Sequence, residues 1–159
     1  MLQRVQTVYM LAAAVAILML LLFPLATFML PDATYSMTAL GLTSLTPEVP
    51  FDRMNWALLA LVVVMMALPL VAIFMYRNRK RQLRVLIYTA VLYVVYYGFY
   101  FFECHHYATS LAAASTGAAQ VAHNYVMLAM PALGVFCCVM AMRGVIFDEA
   151  LVRSLERLR

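Results

Sequence analysis

Four long stretches of this chain carry no aspartate, glutamate, lysine or arginine, and that feature decides most of what it can fold into. No charged residue occurs between Val5 and Pro31. Residues 54–76 lie between Arg53 and Arg77, residues 85–102 between Arg84 and Glu103, and residues 124–142 stop at Arg143. A hydrocarbon core about 30 Å thick is crossed by about 20 mainly apolar residues in a helix. The pattern predicts four spans, over about residues 5–30, 54–76, 85–102 and 124–142. Backbone groups find no water inside a bilayer, so each run is expected to be helical. The period-2 alternation of a membrane strand is missing. The expected fold class is all-α: an integral membrane four-helix bundle over residues 1–142, followed by a tail over 143–159.

Composition closes the other routes. Of 159 residues, 67% are hydrophobic and 11% charged, against about half and about a quarter in soluble domains. A small soluble fold leaves too much surface in water to hide that much apolar area. A disordered tail, a nucleic-acid module and a soluble enzyme are excluded. Arg4 before the first run has the look of a secretory signal. The run is far longer than a signal core and no clean small-residue cleavage site follows, so it reads as an uncleaved anchor.

Charge placement gives an orientation. Arg4 precedes the first span, Arg77, Arg79, Lys80, Arg81 and Arg84 separate spans two and three, and Arg143, Arg153, Arg157 and Arg159 follow span four. Ten of the eleven basic residues thus share one side, and only Arg53 joins Asp32, Glu48, Asp52 and Glu103 on the other. Cytoplasmic loops carry the excess of lysine and arginine. Both termini of this multi-pass chain are expected in the cytoplasm.

The span interiors hold no Asp, Glu, Lys, Arg or His, which argues against proton-coupled transport and intramembrane hydrolysis. No nucleophile elbow, zinc-protease helix, phosphate loop or dinucleotide fingerprint occurs. No enzymatic activity is expected. The best candidate cluster is Glu103, Cys104, His105 and His106, with His123 downstream. Imidazole and thiolate suit zinc or copper. Adjacent histidines on a helix point about 100° apart, however, so they share a metal poorly. No metal and no cofactor is expected, and the histidines read as a polar interface girdle.

Tyr93, Tyr96, Tyr97 and Tyr100 follow i, i+3, i+4, i+7 spacing. Two readings stand. Tyr93, Tyr97 and Tyr100 line a groove for quinone, haem or lipid beside His105 and His123, or the rings pack between helices with each hydroxyl satisfied locally. Packing is the commoner use of such rings. Pro24, Pro69 and Pro131 are expected to kink spans one, two and four. Ala12 and Ala16 form a small-residue pair that lets helices approach. Outside the membrane, the alternation Tyr35, Met37, Ala39 hints at a short extended piece. The alanine-rich stretch 103–123 favours helix, extending spans three and four.

The cytoplasmic pieces are the most patterned. Phe147, Leu151, Leu155 and Leu158 fall on one face of the tail, with Asp148, Glu149, Arg153, Glu156 and Arg157 on the rest. This predicts a C-terminal amphipathic helix that lies on the membrane or docks into a partner. The basic loop attracts anionic headgroups. The expected partner surface is Gln3, Arg4 and Gln6, the loop residues Arg77, Arg79, Lys80, Arg81 and Arg84, and the tail residues Asp148, Glu149, Leu151, Arg153, Leu155 and Arg157.

Several of these pieces carry a resemblance. Gln3-Arg4-Val5-Gln6-Thr7-Val8-Tyr9 opens the chain; Pro24-Leu25-Ala26-Thr27 and Tyr76-Arg77-Asn78-Arg79-Lys80 with Gln82-Leu83-Arg84 follow; Asp148-Glu149-Ala150-Leu151-Val152-Arg153-Ser154 with Arg157-Leu158-Arg159 ends it. Together they resemble a family of small bacterial four-span membrane proteins classed as a domain of unknown function. The likeness spans the whole chain. Leu155-Glu156 departs mildly from the small residue and acid expected there. The Glu-Cys-His-His cluster is no part of the likeness. The resemblance implies a bacterial inner-membrane protein and supplies no activity.

The expected function is a non-enzymatic accessory or scaffold subunit of a larger inner-membrane assembly, with envelope or protein-secretion machinery as one home. Its partners are membrane lipids and other integral membrane subunits, and no nucleic acid. The alternative is a binder of a lipophilic ligand: quinone, haem or lipid.

Overall fold

The computed structural model describes residues 5–46, 52–76, 78–114 and 119–157. In chain order these form α1 (Val5–Leu22), β1 (Ala26–Met29), β2 (Thr34–Thr38), β3 (Gly41–Ser44), β4 (Asp52–Met54), α2 (Trp56–Phe74), α3 (Arg79–Ala114), β5 (Gln120–His123) and α4 (Tyr125–Arg157). All four helices are long and apolar enough to cross a membrane. The chain is a membrane protein. Two corrections to the expected fold accompany that result.

The first concerns fold class. The chain is not all-α, because the two segments that join the spans at one end build an antiparallel sheet of order β4-β3-β2-β1-β5. The extended piece hinted at by Tyr35 and Met37 is its central strand, β2. The stretch 103–123 divides: its alanines do continue α3 to Ala114, but Gln120–His123 pairs with β1, placing Ala26 opposite His123. Alanine propensity is a local preference, and a ladder of hydrogen bonds to a distant strand overrides it.

The second correction shortens the first span, which ends at Leu22 rather than near residue 30. Pro24 cannot donate a backbone hydrogen bond and its ring crowds the carbonyl four residues back. The next residues, Ala26-Thr27-Phe28-Met29, pair with Thr34–Met37 as β1. Uncharged residues therefore continue past the helix into the sheet. The third span errs the other way: Glu103, His105 and His106 end the apolar run but not the helix, which has 36 residues and a length of about 54 Å.

Helix α1 packs on α2 and α4, and α3 packs on α2 and α4, closing a ring. The buried face of α1 is Met10, Ala13, Ala14, Ile17 and Leu20. Ala16 is buried but Ala12 is exposed, so the small-residue approach uses Ala13 rather than Ala12. Outward, Val8, Leu11, Val63, Val64, Val91, Val94, Leu133 and Phe136 are exposed. In water this would be costly, whereas in lipid it is the expected surface. Trp56, Phe102 and Tyr125 are exposed toward the sheet end, and Phe74, Tyr76 and Phe147 toward the opposite end. Such aromatic belts mark the two interfaces.

The sheet lies against the extension of α3. Phe28, Tyr35, Met37 and Leu42 are buried. Phe28 meets the Tyr107 ring edge-on at 6.4 Å, and Cys104 Sγ lies 3.8 Å from Met37 Sδ. Asn55 ties the pieces together. Its Oδ1 accepts the Leu58 N–H at 3.0 Å, capping α2, its Nδ2 donates to the Tyr107 hydroxyl at 3.2 Å, and its backbone N–H donates to the Leu40 carbonyl. Asn55→Ala should cost about 1–2 kcal/mol, the scale of a lost cap. Thermal unfolding in detergent measures this, and Asn55→Ser, which keeps a capping oxygen, should recover part of the loss.

Candidate functional site

The tyrosine face of α3 is part of a longer seam. Gln82, Leu86, Thr89, Tyr93, Tyr96, Tyr100, Cys104, Tyr107 and Leu111 are all buried, stepping by three or four residues along one face. Tyr97 is half-buried beside it. The hydroxyls of Tyr93, Tyr97 and Tyr100 reach backbone carbonyls on three other segments, those of Met65, Leu128 and Leu25. Pro69 has no N–H for the carbonyl of Met65, four residues back, and the Tyr93 hydroxyl donates to that carbonyl at 3.2 Å. Tyr97 donates at 2.7 Å to the carbonyl of Leu128, one turn before Pro131. Tyr100 reaches the carbonyl of Leu25, next to Pro24, at 3.2 Å. Buried carbonyls deprived of a helix partner are costly, and at Met65 the Tyr93 hydroxyl supplies what Pro69 removes; the Leu25 carbonyl also accepts the Asn124 N–H.

The histidines do not converge. His123 sits on β5 with Nδ1 2.8 Å from the Tyr100 hydroxyl, its ring 6.0 Å from that of Phe101. His105 and His106 are exposed on the α3 extension, His106 stacking on Phe102. Among the described residues, no three of His, Cys, Asp and Glu gather closely enough to hold a metal ion.

The opposite end of the bundle, marked by Arg79, Lys80, Arg81, Arg84 and Arg143, brings together residues far apart in sequence. Gln6 of α1, Tyr76 after α2, Arg79 and Gln82 of α3, and Val145 and Asp148 of α4 line one narrow cleft, too tight to enclose a water molecule. Arg79 donates from a guanidinium nitrogen to the Asp148 carbonyl at 2.8 Å, joining α3 to α4. Gln82 is buried, and its Nε2 donates to the Ala72 carbonyl at 3.0 Å, joining α3 to α2. Gln6 is 7% exposed, and its Oε1 is buried without a hydrogen-bond partner. A Cβ at Gly144 would meet Gln6 Cβ at 3.2 Å, so glycine lets α4 come close to α1 at this level.

Of the surface expected from sequence, Gln6, Arg79 and Asp148 meet in the cleft, while Lys80, Arg81 and Arg84 stand exposed on the first turns of α3. Gln3, Arg4 and Arg77 lie outside the described residues, as do the side chains of Glu149, Leu151, Arg153, Leu155 and Arg157. The backbone of the tail is the direct continuation of α4, whose 33 residues make about 50 Å of helix. It is not a separate element.

Sequence reasoning missed Gln82, Tyr76 and Val145 as site residues. Gln82 was discoverable, since it lies on the same stepped seam as the tyrosines. Tyr76 and Val145 carry no signal of their own and join the cleft only through the helix crossings.

No curated protein matches the chain. The stretches that converge at the cleft come from its beginning, middle and end, and a family match extends over the same length. The model of the domain of unknown function DUF4293 covers residues 2–158, and the chain belongs to that family.

Proposed function

We propose that this chain is a non-enzymatic accessory or scaffold subunit of a larger bacterial inner-membrane assembly, and that it docks its partner on the basic end of the bundle. The observation that carries this reading is the convergence of three distant segments on that end. Gln6, Arg79 and Asp148 line one cleft, with Lys80, Arg81 and Arg84 exposed beside it. A bundle needs no patterned polar surface there for its own insertion, since juxtamembrane lysines alone would satisfy the headgroups. The lysine and arginine bias puts both termini in the cytoplasm, so the partner approaches from that side or lies beside the spans. Envelope or protein-secretion machinery is a fitting home.

The test is extraction in mild detergent followed by mass spectrometry of what co-purifies, for the full chain and for a chain ending at residue 147. A stoichiometric membrane partner, lost on truncation while the four spans still insert, is the expected outcome. A complex that survives the truncation intact, or a full chain that purifies alone, sinks the reading.

A further inference from the structure

We propose that the outward face of α3 at the basic end binds cardiolipin, a lipid with two phosphates on one glycerol. Lys80, Arg81 and Arg84 hold the phosphates, and Tyr88 meets the glycerol region below them. The three cations are exposed, and Tyr88 is 65% exposed. At about 100° and 1.5 Å per residue, all four fall within an arc of about 100° and a length of about 12 Å. The opposite face carries the buried seam of Gln82, Leu86, Thr89 and Tyr93, so this arc looks away from the bundle and into the lipid. Arg79 is not part of it, being held on the Asp148 carbonyl. No acid competes for the cations from their own helix: its first turn has none, and its first acid is Glu103, at the far end of the span. Because α3 begins at Arg79, the positive end of its dipole adds to the same field.

Juxtamembrane cations attract any anionic lipid, and that attraction requires no arrangement. The crowding of three cations on one face of one helix is what selects a diphosphate. A lipid with one phosphate engages part of the cluster, and a second such lipid must be ordered separately. Two phosphates tethered by one glycerol make the second contact an intramolecular event. Guanidinium presents paired N–H donors to phosphate oxygens, and Arg81 and Arg84 lie one turn apart. Tyr88 lies one turn deeper than Arg84, at the level where a phenol puts its hydroxyl among headgroups and its ring among acyl chains. Beneath it Val91 and Val95 are 56% and 54% exposed, and their stiff branched side chains give the acyl chains an even wall. The inference goes beyond the accessory-subunit reading and does not rest on it. A lipid on the outside of α3 leaves Gln6, Arg79 and Asp148 to a protein partner, and it binds whether or not one docks.

The experiment uses the full chain in phosphatidylcholine nanodiscs that carry cardiolipin and phosphatidylglycerol at equal total phosphate, with matched acyl chains. Native mass spectrometry then reads the lipids retained. Cardiolipin is expected to be retained about fivefold over phosphatidylglycerol per phosphate, the scale of one further juxtamembrane cation engaged. Arg84→Gln and Tyr88→Ala should each lower that preference severalfold. Insertion should survive Arg84→Gln, because Arg77, Arg79, Lys80 and Arg81 still mark the loop. Arg143→Gln is the control: it removes the same charge from the same end of the bundle, but from an exposed position on α4. It should leave the preference intact. Equal retention of the two lipids overturns the proposal, and so does a preference that survives Arg84→Gln. An equal loss in Arg84→Gln and Arg143→Gln also overturns it, because the lipid would then answer to the net charge of that end and not to a face of α3.

Discussion

Replacing Gly134 by alanine will lower the stability of the folded bundle by about 1–3 kcal/mol, the range for overpacking a filled interior. A Cβ at this position of α4 would fall 2.6 Å from Cε2 and 2.9 Å from Cδ2 of Tyr93. Carbons in contact prefer about 3.5–4.0 Å, so the ring or the helix must move. The ring cannot turn away cheaply. Tyr93 is fully buried and its hydroxyl is held on the Met65 carbonyl of α2. The strain therefore falls on the packing of α3 against α4. Gly98 provides the control, because a Cβ there meets nothing within 4 Å. Gly98→Ala should be neutral or stabilising by up to about 1 kcal/mol, from helix propensity alone. Thermal unfolding of both variants in the same detergent decides the matter. Equal shifts at the two positions would remove the steric argument.

Tyr93→Phe should cost about 1–2 kcal/mol, more than an average interhelical hydrogen bond in a membrane. The reason lies in α2. Pro69 leaves the Met65 carbonyl without its usual helix donor, and the Tyr93 hydroxyl is the group that reaches it, at 3.2 Å. Without the hydroxyl, that carbonyl is stranded in an apolar interior. The sharper test is a double-mutant cycle with Pro69→Ala. Alanine at 69 restores an N–H to the Met65 carbonyl, so the cost of Tyr93→Phe should shrink toward zero in that background. A cost that is the same with proline or alanine at 69 would show that the hydroxyl does not serve the freed carbonyl.

Much of this molecule is legible residue by residue, and the way the expectations failed is instructive. The stepped spacing of Tyr93, Tyr96 and Tyr100 announced a packed helix face, and the structure extends that face from Gln82 to Leu111. What spacing could not announce is which carbonyl each hydroxyl meets, because Met65, Leu128 and Leu25 sit on three other segments. Likewise Tyr35 and Met37 hinted at a strand, but nothing local could assign Gln120–His123 to the same sheet. Its four residues pair with Ala26–Met29, nearly a hundred positions earlier.

The sequence by itself determined four membrane-crossing helices and the concentration of basic residues at one end. A helix satisfies its backbone within itself, and its affinity for lipid is the sum of its own side chains. Both properties can be read without knowing any neighbour. Only the tertiary structure decided where α1 stops, that a five-stranded sheet caps one end, and that Gln6, Arg79 and Asp148 share a cleft at the other. Strand pairing and cleft formation draw their hydrogen bonds and contacts from partners remote along the chain. Those partners are chosen by how the four helices cross, and no single stretch of sequence encodes that.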